Sequence, residues 1–218
     1  MNHNRLPKTL LFALAVQMAA SAATISFVAV DGVSDGLSYV SPYTVQIEGQ
    51  RYRAMCYDLA NHVSVGQVWQ ANLLTIDDLS GAYYFGRPDA ENKYRKAGWY
   101  YSELMKVSDA ESRIGIQHAA WLLFDSSGPS AGAAPWQAAA DVAANDHYGS
   151  MDFSSLRFIE AVSGAPRVQG LLVGGFSSSA SEVPEPSTWT AVVAGCGLLV
   201  LGRRRFRAAR PPGDQRRT

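Results

Sequence analysis

From Thr188 to Gly202 the chain runs 15 residues without a charge, and Arg203-Arg204-Arg205-Phe206-Arg207 follows at once. As a helix that run spans about 22 Å, short of the roughly 30 Å hydrocarbon core of a bilayer. A cluster of arginines at the end of an apolar segment is a cytoplasmic anchor under the positive-inside rule. Ahead of the run lies a Ser-rich stretch, Phe176–Ser181, leading into Val183-Pro184-Glu185-Pro186-Ser187. This order withdraws the end of the chain from the hydrophobic core and confines the fold to what precedes it.

The opposite end carries a matching signal. Arg5 and Lys8 precede an apolar stretch, Thr9–Met18, and Ala20-Ser21-Ala22 supplies small residues of the kind cleaved after export. The layout is therefore a signal peptide at 1–22 and an exported domain at 23–175. A Ser/Pro linker at 176–187, a transmembrane segment at 188–202 and a basic cytoplasmic tail at 203–218 follow.

Three parts of the C-terminus resemble a PEP-CTERM sorting signal of Gram-negative bacteria. They are Val183, Pro184, Glu185, Pro186 and Ser187, the apolar run, and the anchor residues Arg203, Arg204, Arg205 and Arg207. The resemblance implies processing by an exosortase near the Pro-Glu-Pro and a host that makes exopolysaccharide. It implies a protein held in the inner membrane by its C-terminal helix before processing. Afterwards the protein would sit at the cell surface or outside the cell.

Charge narrows the partners. Between Ala23 and Val183 there are ten basic and seventeen acidic residues, an excess of seven negative charges. A nucleic-acid partner would need clustered Lys and Arg, whereas the exported portion is acidic, so none is expected.

The exported portion is long enough for one domain with its own core. Ile25 and Phe27, then Tyr43, Val45 and Ile47, alternate with polar neighbours, which predicts strands. Gly49-Gln50 between Tyr43–Glu48 and Arg51–Tyr57 predicts a type II′ hairpin, with Tyr52, Ala54 and Cys56 on one face. Pro88-Asp89 opens a helix to about Met105. Ser108-Asp109-Ala110-Glu111 reads as a capping box opening a second helix to about Phe124, with Ile114, Gln117, Trp121 and Phe124 inward. Pro135 starts a third. Strands return at Leu156–Val162 and Arg167–Val173. The expected fold is α+β, an antiparallel β-sandwich or half-barrel with a helical insertion at about 89–145.

The chain has two cysteines, and Cys196 lies in the tail. Cys56 is then alone in an exported domain, where an odd thiol calls for an account. Gln117 offers one: its amide lies on the apolar face of the second helix and needs partners there. A thiol that meets a carboxamide can expel ammonia and leave a thioester, an acyl donor for amines or hydroxyls. His118 or Asp58 would assist proton transfer. The other account is a small hydrophobe beside an amide bonded to backbone.

Ala54-Met55-Cys56-Tyr57-Asp58-Leu59 and Ile116-Gln117-His118-Ala119-Ala120-Trp121 are similar to the Cys and Gln blocks of bacterial surface thioester domains. The likeness covers about Val45–Phe124, with Met55 where an aromatic is commoner and Tyr57 where an aliphatic is. It implies a covalent adhesin that acylates surface amines through Cys56 and Gln117.

Other chemistry is sparse. His62, His118 and His147 lack metal-ligand spacing, so no metal or cofactor is expected. No Gly-x-Ser-x-Gly occurs. Asp77-Asp78 and the Asp31/Asp35 pair read as loop residues, and Trp69, Trp99 and Trp136 as core aromatics or sugar-stacking platforms. Two readings stand. One is a non-enzymatic surface or matrix protein associated with exopolysaccharide or the envelope. The other is a covalent adhesin using Cys56–Gln117.

Overall fold

Alternating side chains on short strands build a wall with two buried faces. In the computed structural model, which describes residues 22–163 and 167–176, the order is β1 (Ala23–Val30), β2 (Tyr43–Ile47), β3 (Gln50–Cys56) and β4 (Val68–Leu74). Three helices follow: α1 (Ala90–Leu104), α2 (Ala110–Leu122) and α3 (Ala133–Asn145). Strands β5 (Arg157–Ala161) and β6 (Leu171–Val173) complete the set.

All strand pairs are antiparallel, in the order β1-β2-β3-β6-β5-β4, and β4 pairs back onto β1. The sheet is a closed barrel rather than the expected sandwich or half-barrel. The strand that closes it, β4, went unpredicted: its alternation places Trp69 and Ala71 inward while Val68 is left exposed. Closure leaves no free edge, so each strand finds a ladder partner on both sides.

Ile25, Phe27, Val45, Ile47, Ala54, Cys56, Trp69, Ala71, Ile159, Leu171 and Val173 fill the interior cluster. The alternate residues Met55, Tyr57, Phe158 and Leu172 belong to a second cluster with Tyr94, Leu104, Ile116 and Phe124 of the helical region. The helices therefore cover part of the outer wall, and the end of β3, Ala54 to Cys56, is buried on both faces. Each large side chain buried in this way contributes about 1.5–3 kcal/mol.

Local signals were displaced by one residue in two places. The β2–β3 turn is Glu48-Gly49, not Gly49-Gln50; both residues have positive φ (47° and 88°), and Ile47 pairs with Gln50. That is the type I′ pattern rather than II′. Glu48 tolerates the left-handed conformation because Thr24 engages it twice. The Thr24 amide donates to its Oε1 at 2.6 Å, and the Glu48 amide donates to the Thr24 carbonyl at 3.2 Å. Asp109, not Ser108, caps α2, accepting from the Ser112 amide at 2.8 Å.

Helix α2 packs on α3 through Gly115, where a Cβ would fall 2.6 Å from the Gly132 carbonyl oxygen. Trp69 is buried, and Trp99 and Trp136 are half-buried against the helical cluster. The signal-peptide reading up to residue 21 lies outside the described residues. So do the motif Val183–Ser187, the apolar run and Arg203–Arg207. Among the described residues no helix is long and apolar enough to cross a membrane.

Candidate functional site

Cys56 is the last residue of β3, paired with Leu171 of β6, and its side chain points into the barrel cluster. Gln117 and Trp121 stand one turn apart on the same face of α2. The structure brings all three together. Gln117 Nε2 donates to the Cys56 carbonyl oxygen at 2.6 Å, and Gln117 Oε1 accepts from the Ser41 amide at 3.1 Å. Trp121 Nε1 donates to Cys56 Sγ at 3.2 Å, and the thiol donates to the Asp58 carbonyl oxygen at 3.1 Å. Ser41 Oγ accepts from the Cys56 amide at 2.9 Å. Cys56, Gln117 and Ser41 are each 0% exposed.

Burying a carboxamide costs several kcal/mol unless its polar atoms are paired, roughly 2–7 by reference state. Here both ends are held by backbone, and among the described residues no buried side-chain nitrogen or oxygen lacks a partner. Burial pushes the Cys56 thiol well above its ordinary range. The Trp121 N–H offsets this in part, and the Asp58 charge adds to it. The sulfur is thus held as a neutral thiol.

The proton-transfer roles expected of His118 and Asp58 do not match their positions. His118 follows Gln117 by one residue, about 100° further round the helix. Its ring nitrogens face the Ala131 carbonyl oxygen and Asp35 Oδ2, each at 2.9 Å, and the ring stacks on Trp121. Burial alone would raise the Asp35 carboxyl; the Ser38 and Leu37 amides and His118 outweigh it and hold the group below its ordinary value. Asp58 reaches the thiol through its main chain. Its carboxylate accepts from the Ala60 amide, Asn61 Nδ2, the Tyr84 hydroxyl and the Gly170 amide.

Sequence reasoning missed Ser41, which clamps both the Cys56 amide and the Gln117 carbonyl oxygen. It lies in a loop far from both in sequence, and only its place before Pro42 marks it. It also missed Asp35 as the partner of His118.

A second polar cluster lies between the barrel wall and the helices. Glu160 is 8% exposed and accepts from the Tyr57 hydroxyl at 2.7 Å, the Tyr83 amide at 3.2 Å and the Tyr94 hydroxyl at 3.4 Å. Burial raises its carboxyl above the ordinary value; those donors work the other way, and the Asp58 charge adds to the rise. Asp31 accepts from Thr44 Oγ1, and Asp78 binds the Ser80 hydroxyl. The described residues hold no group of three His, Cys, Asp or Glu side chains suited to a metal ion.

No protein-family model matches the chain, and no curated protein matches it. Among solved structures it is similar to the N-terminal thioester domain of a surface protein from Clostridium perfringens. The TM-score is 0.46 at 10% identity, over 72% of this chain and 100% of that one. It is also similar to the N-terminal domain of the Streptococcus pyogenes pilus tip adhesin Cpa. There the TM-score is 0.44 at 14% identity, over 72% of this chain and 95% of that one. Both scores fall below one half, and the site rests on the contacts given above.

Proposed function

We propose that this is an exported surface or matrix protein in which Cys56 and Gln117 condense to an internal thioester for covalent attachment. One observation carries the reading: the fully buried Gln117 carboxamide lies against the main chain of Cys56, itself fully buried and the free cysteine among the described residues, with the amide nitrogen 2.6 Å from the Cys56 carbonyl oxygen.

The step balances without a co-reactant. Cys56 Sγ adds to Gln117 Cδ, the C–N bond breaks, and the thiol proton leaves with the nitrogen as ammonia. Charge develops on Oε1 as the sulfur adds, and the Ser41 amide already donates there. A preorganised donor of this kind lowers the barrier by about 3 kcal/mol in acyl transfer. The product replaces two buried polar groups by one less polar bond, which the dry site favours. The bond is consumed once, so the protein is a single-use acyl donor and not an enzyme.

Delivery rests on the tail. The residues Val183–Ser187, the apolar run and the arginines support processing by an exosortase and release to the surface. Exopolysaccharide and surface amines are then the accessible partners.

Intact mass of the exported form tests the chemistry. The expected result is a species lighter by one ammonia, restored to full mass in Cys56→Ala and in Gln117→Ala. Methylamine should add at Gln117 and free one thiol. An untreated protein of full mass overturns the reading. It would favour an inert matrix component, for which the complete pairing of the Gln117 amide speaks. Terminal sequencing tests the sorting: a start near Ala23 and an end between Pro184 and Ser187 are expected. A mature protein still carrying Arg203–Arg207 overturns it.

A further inference from the structure

A cleft of about 420 Å³ opens beside the site, and Trp121 and Gln169 form part of its wall. Both touch the sulfur's surroundings. Trp121 Nε1 donates to Cys56 Sγ, and Gln169 Nε2 donates to the Asp58 carbonyl oxygen that also receives the thiol. The cleft and the sulfur thus share a wall one side chain thick. A larger cavity, about 600 Å³, lies elsewhere, at Trp99, Tyr148 and Met151.

The lining has a distinct chemistry. No Asp, Glu, Lys or Arg contributes to it. Apart from His62, its polar members are neutral: Ser38, Ser64, Gln169 and two tyrosines. Tyr39 is 65% exposed at the rim, beside Leu37 and Val65, so an aromatic face stands open to solvent there. His62 is the one imidazole in the lining, and it is exposed, with no hydrogen bond or ion pair among the described residues. His118, by contrast, has both ring nitrogens engaged.

Resting on the thioester reading, we infer that the cleft seats a neutral polyhydroxyl acceptor, a sugar, and that His62 is the base that activates its hydroxyl. An alkylammonium entering this cleft would lose water and meet no carboxylate, and it must also shed a proton before it can attack. A sugar carries no charge, hydrogen-bonds to hydroxyls and amides, and can lay its apolar face on Tyr39. A hydroxyl is a weak nucleophile and needs a base, and His62 is the imidazole that the lining offers. The step again balances. The acceptor oxygen bonds to the acyl carbon of residue 117, the C–S bond breaks, and His62 takes the hydroxyl proton and returns it to the departing sulfur. The products are an ester at residue 117 and a free Cys56 thiol.

The test uses the exported protein with methyl glucoside and, separately, methylamine, each adduct read by intact mass. The expected result is an ester adduct with the glucoside. In His62→Gln the ratio of glucoside to methylamine adduct should fall about a hundredfold, the scale of general-base catalysis. An unchanged unfolding midpoint in that variant shows that the exposed position has not damaged the fold. If methylamine adds but the glucoside does not, the hydroxyl acceptor is wrong and the thioester stands. If the glucoside adds equally well to His62→Gln, the role of His62 is wrong. If the untreated protein shows no loss of ammonia, both the cleft reading and the thioester fall together.

Discussion

A bond between Cys56 and Gln117 would close a loop between residues 61 apart in sequence. Its effect on stability follows from the chain entropy that it removes from the unfolded state. Treated like a disulfide enclosing that many residues, it stabilises the domain by about 4 kcal/mol. At this size 1 kcal/mol moves the melting temperature by about 2–4 °C, so the shift is on the order of 10 °C. Methylamine isolates this effect, because it cuts the loop and leaves the sulfur in place. Cys56→Ala goes further: it also orphans the buried Trp121 N–H, which adds about 1–3 kcal/mol. Calorimetry on three samples should therefore rank untreated protein first, methylamine-treated protein second and Cys56→Ala last. Coincident melting of treated and untreated protein, with the ammonia-loss mass verified in the latter, would refute the loop argument.

Other expectations follow from single contacts. Glu160 titrates above its unfolded value, so its contribution to stability is present below that value and lost as pH rises through the native one. Glu160→Gln should then raise stability at neutral pH and flatten its fall between mildly acidic and neutral pH in urea titrations. Each pH unit of the upward displacement is worth about 1.4 kcal/mol. Asp35 is held low, so its contribution is present above its unfolded value and lost as pH falls through the native one. Asp35→Asn should cost about 1–3 kcal/mol at neutral pH, less in acid, and should quicken methylamine addition by loosening the Leu37–Tyr39 rim. Gly115→Ala should cost about 1–3 kcal/mol by forcing α2 from α3, read as a lower urea midpoint.

The helical insertion was legible because its signals are local. The stretch expected at about 89–145 contains all three helices, which run from Ala90 to Asn145. The hairpin slipped by one residue because the rule for a leading glycine could not foresee Glu48 held in a left-handed conformation by distant Thr24. Strand β4 was invisible for a different reason. A small barrel takes Trp69 beside Ala71 inward and leaves Val68 in water, and hydropathy does not report that exchange. At the site, Cys56 and Gln117 were legible as an odd thiol and an inward amide. Ser41 was not, because its contacts span 15 and 76 residues and depend on the folded loop.

Strand β6 sits between β3 and β5, so the ladder on the far side of Cys56 belongs to the last strand of the barrel. Pairings between segments so far apart in sequence form slowly. Until Leu171 docks, the thiol stands open to whatever oxidant the chain meets, and a sulfenic acid there can no longer attack an amide. Maturation is therefore a race between strand insertion and oxidation. On the proposed reading, the thioester would form only in molecules whose strand β6 arrives first.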